Sequence, residues 1–213
     1  MRNIASGVLA GALLFGAPLA WSIPSPGLDD GTDSSAPTAA PSAQDTATYG
    51  DALALMKKGD ALEGQPGAKD AYGSARAKLQ SLVGRSPQLA EAWNALGYTQ
   101  RKLGSYDDAL ASYAKALELK PGYPEALEYR GEAYLRLNRI HDAKQAYLDI
   151  FAKNRTIAAT LLESMRAWIK TQQSAHGIDA SEVTDLQEWV QERAQIASQT
   201  AALTRAGASA SWR

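Results

Sequence analysis

Residues 90–121 read AEAWNALGYTQRKLGSYDDALASYAKALELKP. Apolar residues recur at helical spacing on both sides of Gly104, which makes the stretch two amphipathic helices joined by a tight turn. Glycine fits the helix end there, where a left-handed backbone costs other residues more. Pro121 cannot continue a helix and closes the unit. The landmarks return at one fixed offset of 34 residues. Going forward, Ala92 becomes Ala126, Gly97 becomes Gly131, Leu103 becomes Leu137, Asp108 becomes Asp142, Ala109 becomes Ala143 and Tyr113 becomes Tyr147. Going back, Tyr106 becomes Tyr72, Ala109 becomes Ala75 and Pro121 becomes Pro87. A period of this length implies stacked helical hairpins. Gly97 and Ala109 are small enough for paired helices to approach closely. Trp93, Leu96, Tyr113 and Leu117 supply the bulk between hairpins.

The order Trp, Leu-Gly, Tyr, Ala, aromatic, Ala, Pro at these spacings resembles the tetratricopeptide repeat family. The copy at 90–123 is close, with Gln100 where the family often has Tyr. The copy at 124–157 matches through Leu127, Gly131, Tyr134, Ala143 and Tyr147, and departs with Ile150 and Arg155. An earlier copy, about 50–89, is degenerate. It fits if residues 64–67 are a four-residue insertion in the turn, which puts Gly59 in the place of Gly97. In a partial copy at 158–172, Leu161, Met165 and Trp168 repeat the spacing of Leu127, Gly131 and Tyr134. The expected fold is all-α: a tetratricopeptide-like solenoid of about three hairpins over 47–172, with a C-terminal capping region over 173–213. In that region Asp179-Ala180-Ser181-Glu182 reads as a capping box after a loop at 174–178. Val183, Leu186, Val190, Ala194, Ala197 and Ala201 then trace one stripe that folds back over the open end of the stack. Residues 206–213 are expected to fray.

Ahead of the repeats, residues 1–22 have the form of an export signal. Arg2 precedes an apolar run over 4–17, and Ala20-Trp21-Ser22 places cleavage after Ser22. The run is shorter than the about 20 apolar residues of a spanning helix, so a retained membrane anchor is the lesser reading. Residues 23–46 are rich in Pro, Ser, Ala, Thr and Asp without a basic residue, the composition of a disordered linker. The expected address is periplasmic.

Composition excludes several functions. The chain of 213 residues has a formal net charge of -1 and no cysteine. Its Lys and Arg are dispersed, which speaks against a nucleic-acid partner. Thiolate ligands, thiol nucleophiles and disulfides are ruled out. Its two histidines, His141 and His176, have no ligand-spaced neighbour. There is no phosphate-binding glycine loop and no nucleophile-elbow serine. The expectation is a protein that is not an enzyme and carries neither metal nor cofactor.

The resemblance implies that the first helix of each hairpin lines a concave groove for an extended peptide or a partner helix. By spacing, that face carries Glu91, Asn94, Tyr98, Arg101 and Lys102, then Glu125, Glu128, Glu132, Leu135 and Arg136, then Leu162, Arg166, Ile169 and Lys170. The partner-binding candidates are Asn94, Tyr98, Arg101, Lys102, Glu128, Glu132, Arg136, Arg166 and Lys170, with Tyr98 as an exposed aromatic hot spot. Some relatives grip the C-terminal carboxylate of a chaperone tail with a Lys and Asn clamp. Here Tyr98 follows Asn94, and Tyr129 and Ala159 occupy later clamp positions, so that partner is not expected. The functional expectation is a protein-interaction scaffold of the cell envelope that assists complex assembly. The alternative is a small-molecule or glycan-binding accessory, with a pocket lined by Trp168, Trp189 and Tyr147 between the repeats and the C-terminal helix.

Overall fold

A computed structural model describes residues 41–172 and 179–209, and for 204–209 the backbone alone. The export signal, the linker up to residue 40, His176 and the loop at 174–178 lie outside the described residues. Eight helices follow in order among the described residues: α1 (Ala43–Ala61), α2 (Ala68–Arg85), α3 (Ala90–Lys102), α4 (Tyr106–Leu119), α5 (Pro124–Arg136), α6 (Ile140–Phe151), α7 (Arg155–Gln172) and α8 (Ala180–Ser209). Each packs on the next as far as α8, and α7 also packs on α5.

Helix starts here earlier than the sequence pattern expects. α1 takes in residues 43–46, which read as linker. Ser42 is extended, and its Oγ accepts from the Asp45 amide at 3.1 Å, an N-cap that satisfies an otherwise orphaned donor. Asp45 is itself buried, paired with Arg85 at 3.0 Å and accepting from Ser86 at 2.8 Å. That contact stitches the start of α1 to the end of α2. At the other terminus α8 continues to Ser209, past the residue 206 where fraying was expected.

The turns show why the period holds. Gly104 closes the first helix of the central hairpin at φ 85°, and 34 residues on Asn138 takes the same left-handed backbone at φ 56°. Asn is the non-glycine residue that tolerates this region best. Close approach is carried by Gly97: a Cβ there would lie 2.6 Å from Cε1 of Tyr113. At Gly59 the same contact is made with Tyr72, also at 2.6 Å. The degenerate first hairpin therefore packs as the central one does, with its inserted residues held in the turn. The third glycine differs, for at Gly131 the neighbour is Leu161 of α7, not Tyr147.

The core comes in three clusters along the stack. Ala52, Leu79, Leu82, Ala92 and Leu96 join α1, α2 and α3. Ala109, Tyr113, Ala116, Ala126 and Ala133 join α4 and α5. The largest runs from Leu135 through Tyr147, Leu161, Met165 and Trp168 to Val183, Leu186 and Val190 of α8. Of the stripe on α8, Val183, Leu186 and Val190 are buried, Ala194 and Ala197 partly so, and Ala201 is exposed. The start of α8 is thus the cap, secured by Asp179, whose Oδ1 accepts from the Ser181 amide at 2.8 Å. No helix among the described residues is long and apolar enough to cross a membrane.

Candidate functional site: a groove across the first helices

Alternate helices share one face because each second helix packs behind its partner. On that face α3 touches both α1 and α5, and α5 touches α7. The C-terminal turns of α3 and α5, with the facing side of α7, enclose a cavity of about 350 Å³. It is lined by Arg101, Lys102, Glu132, Leu135, Arg136, Ser164 and Trp168, among others.

Tyr98 is not a free aromatic in this groove. Its hydroxyl donates to Asp60 Oδ1 at 2.5 Å, and the hydroxyl of Tyr72 donates to the same oxygen at 2.5 Å. Burial and the Asp60 carboxylate both push these phenols well above their ordinary range. The Tyr98 ring meets Tyr72 and Tyr129 edge-on, with centroids 6.4 Å and 5.3 Å away. Arg101 lies over Tyr98 and Tyr129, 5.2 Å and 5.1 Å from their centroids, a cation–π arrangement. Its guanidinium pairs with Glu132 at 2.7 Å. Glu132 also accepts from Ser164 Oγ at 2.6 Å. Burial disfavours the guanidinium charge, but Glu132 together with Tyr113 and Tyr98 outweighs it and raises the pKa of Arg101. Lys102 reaches back to Glu63 of the α1–α2 turn at 2.6 Å.

Two groups remain uncommitted. Arg136 is exposed at the cavity rim and has no ion pair among the described residues. Glu128 is half-buried, and it makes no hydrogen bond or ion pair among the described residues. Burial, then Glu132 and Glu125, push its carboxyl up to about 7, against the opposing pull of Arg101. Asn94, one repeat before Glu128, is only 8% exposed, and its Oδ1 has no hydrogen-bond partner.

The structure brings Arg101, Lys102, Glu132 and Arg136 together, as the spacing predicts. It moves three expectations. Asn94 is buried rather than presented on the surface. Tyr98 is braced rather than exposed. On α7 the groove face is Ser164, Ala167, Trp168 and Thr171, so Arg166 and Lys170 do not line it. The cause is α8: Leu162 and Ile169, expected in the groove, are buried at 4% and 5% exposure in the core that α8 closes. Arg166 instead pairs with Glu163 on its own helix. The partners sequence reasoning missed are Asp60, Glu63, Tyr72 and Ser164, which come from other repeats; Asp60 is the counterpart of Tyr98 once the four-residue insertion is counted, but the repeat pattern does not mark the two as partners. The pocket expected between the repeats and α8 is not formed by its three aromatics. Tyr147 packs edge-on against Trp189 at 5.2 Å, and Trp168 lines the groove cavity instead. Among the described residues no group of His, Cys, Asp and Glu is placed to hold a metal ion.

Residues 90–123 match the family model of the tetratricopeptide repeat. An uncharacterized protein, ycf37, of Guillardia theta is 39% identical over 62 residues, 29% of this chain and 35% of its own length. The chloroplastic tetratricopeptide repeat domain-containing protein PYG7 of Arabidopsis thaliana is 27% identical over 94 residues, 43% of this chain and 31% of its own. The chain therefore spans about a third of the length of these curated relatives. Among solved structures, the second such domain of human RPAP3, in complex with an HSP70 peptide, aligns at 19% identity and TM-score 0.43 over 55% of this chain and 95% of that one. The first such domain of Spaghetti (RPAP3), bound to an HSP90 peptide, aligns at 20% identity and TM-score 0.42 over 56% and 94%.

Proposed function

We propose that this chain is a non-catalytic protein-interaction scaffold that holds a peptide or partner helix in the groove across α3, α5 and α7. The observation that carries this reading is the open cavity of about 350 Å³, walled by residues braced from neighbouring repeats. A rigid, pre-formed site loses less conformational freedom on binding. The mixture of an aromatic wall with few convergent charged groups is what a peptide site needs. A photo-reactive residue at Ala167, inside the groove, should cross-link a partner in an extract of the native host. The same residue at Ala114, exposed on α4, should not. Equal labelling at both positions would defeat the groove reading.

The place of action is the envelope under the same proposal, with an assisting role in complex assembly. The support is the signal-like pattern of residues 1–22 and the acidic, proline-rich stretch that follows it. Fractionation and N-terminal sequencing test it. A mature chain beginning at Ile23 in the periplasm is expected. An intact Met1 terminus in the cytoplasm rules out export.

A further inference from the structure

Within the proposed groove, two charged groups of opposite sign lack partners on the same helix. Glu128 and Arg136 stand eight residues apart on α5, which is about 12 Å along the helix axis. In the groove Arg101 is already neutralised by Glu132 at 2.7 Å, and Lys102 by Glu63 at 2.6 Å. The Arg136 guanidinium is exposed and free of ion pairs among the described residues. The Glu128 carboxylate is half-buried, so it gives up hydration without gaining a donor. Asn94, at the position of Glu128 one repeat earlier on α3, is only 8% exposed and its Oδ1 lies below the surface, so Glu128 is the acceptor that a ligand can reach at this end. A half-buried carboxylate without a donor calls for a ligand that brings N–H donors. The opposite end offers an uncommitted fork of donors, which calls for a carboxylate.

We propose that the groove is bipolar: it selects an extended partner segment whose Lys or Arg docks at Glu128, and whose Asp or Glu docks at Arg136. This rests on the groove reading above and adds the chemistry of the occupant. A separation of about 12 Å along α5 corresponds to about four residues of extended chain, at roughly 3.3 Å per residue. The bound segment therefore carries its basic and acidic residues three to five positions apart. Charge complementarity at two fixed points also sets its direction, since reversal would bring like charges together.

The test uses the full chain and labelled synthetic decapeptides that differ only in two positions, four residues apart: Lys with Glu, Lys with Gln, Gln with Glu, and Gln with Gln. Fluorescence anisotropy should show the Lys/Glu peptide binding about tenfold more tightly than either singly charged peptide. Glu128→Gln should abolish the preference for Lys and keep the preference for Glu. Arg136→Gln should do the reverse. A preference that survives both substitutions overturns the proposal, as does failure of the Lys/Glu peptide to bind at about 1 mM. The photo-reactive residue at Ala167 separates this from failure of the groove itself. Charge-independent cross-linking at Ala167 overturns the bipolar assignment alone. Peptides that bind but cross-link only at Ala114 overturn the groove reading with it.

Discussion

A methyl group added at Gly97 would lie 2.6 Å from Cε1 of Tyr113, a ring with no exposed surface. Nothing lies within 4 Å of the same methyl at Gly73, also in a helix interior. Gly97→Ala should therefore cost about 1–3 kcal/mol by overpacking, and Gly73→Ala should gain about 0.5–1 kcal/mol by removing backbone entropy from the unfolded chain. Urea denaturation of the two variants checks both signs, and a neutral Gly97→Ala would show that Tyr113 can move aside. Gly59 was legible as the counterpart of Gly97 because a four-residue insertion leaves the helix spacing on either side intact. The partner of Gly131 was not legible, because Leu161 reaches it from the next repeat and no period marks that. Glu128 supplies a second residue-scale test. Its carboxyl is pushed up to about 7, by burial before all else. Between about 4.5 and 7 the folded chain thus holds a proton that the unfolded chain has released. The folded state binds more protons there, so stability falls as pH rises through that window and levels off above it. Half exposure screens the effect to about 1 kcal/mol. Glu128→Gln should be more stable than the parent by that amount at pH 8 and nearly equal at pH 4.5. An unchanged difference at the two pH values would show that Glu128 titrates as an ordinary surface carboxyl.

Among the elements, α8 shows where a pattern is informative and where it stops being so. Its stripe was readable from spacing, and Val183, Leu186 and Val190 are buried as the stripe requires. Which face of α7 the stripe covers was not readable, because α7 is apolar on both Leu162 and Trp168 sides. The choice belongs to the packing of the two helices together, and it turned the groove face of α7 by about one residue. The boundary between cap and overhang is sharp in energetic terms. Leu186 has no exposed surface, whereas Leu203 is 73% exposed. Leu186→Ala should cost about 2–5 kcal/mol through lost burial and the cavity left behind. Leu203→Ala should stay within about 0.5 kcal/mol of the parent. Thermal unfolding of the pair checks this, and equal losses would mean that the far half of α8 carries as much of the cap as its start.

Across the whole stack, neighbouring repeats are joined by more than apolar contact. In a solenoid each unit touches only its neighbours, so stability is a sum of local terms and interfaces. Here polar ties run along the groove face from one interface into the next. Tyr72 and Tyr98 share Asp60, which couples α1, α2 and α3. Arg101 holds Glu132, and Glu132 holds Ser164, which couples α3, α5 and α7. The Arg101 and Glu132 side chains are 13% and 21% exposed, so removing one strands the other in a poorly hydrated site. Glu132→Ala should cost about 2–3 kcal/mol, less than a fully buried pair would. Replacing both, as Arg101→Met with Glu132→Leu, should recover most of that loss, since apolar residues of similar volume leave no stranded charge. The distinguishing readout is where protection is lost. If the tie couples repeats, hydrogen exchange in Glu132→Ala rises in α3 and α7 together with α5. If exchange rises in α5 alone, the repeats are coupled only through their apolar interfaces. The groove would then owe its shape to the helix pairs, and the ion pair on its floor would serve only to fill it.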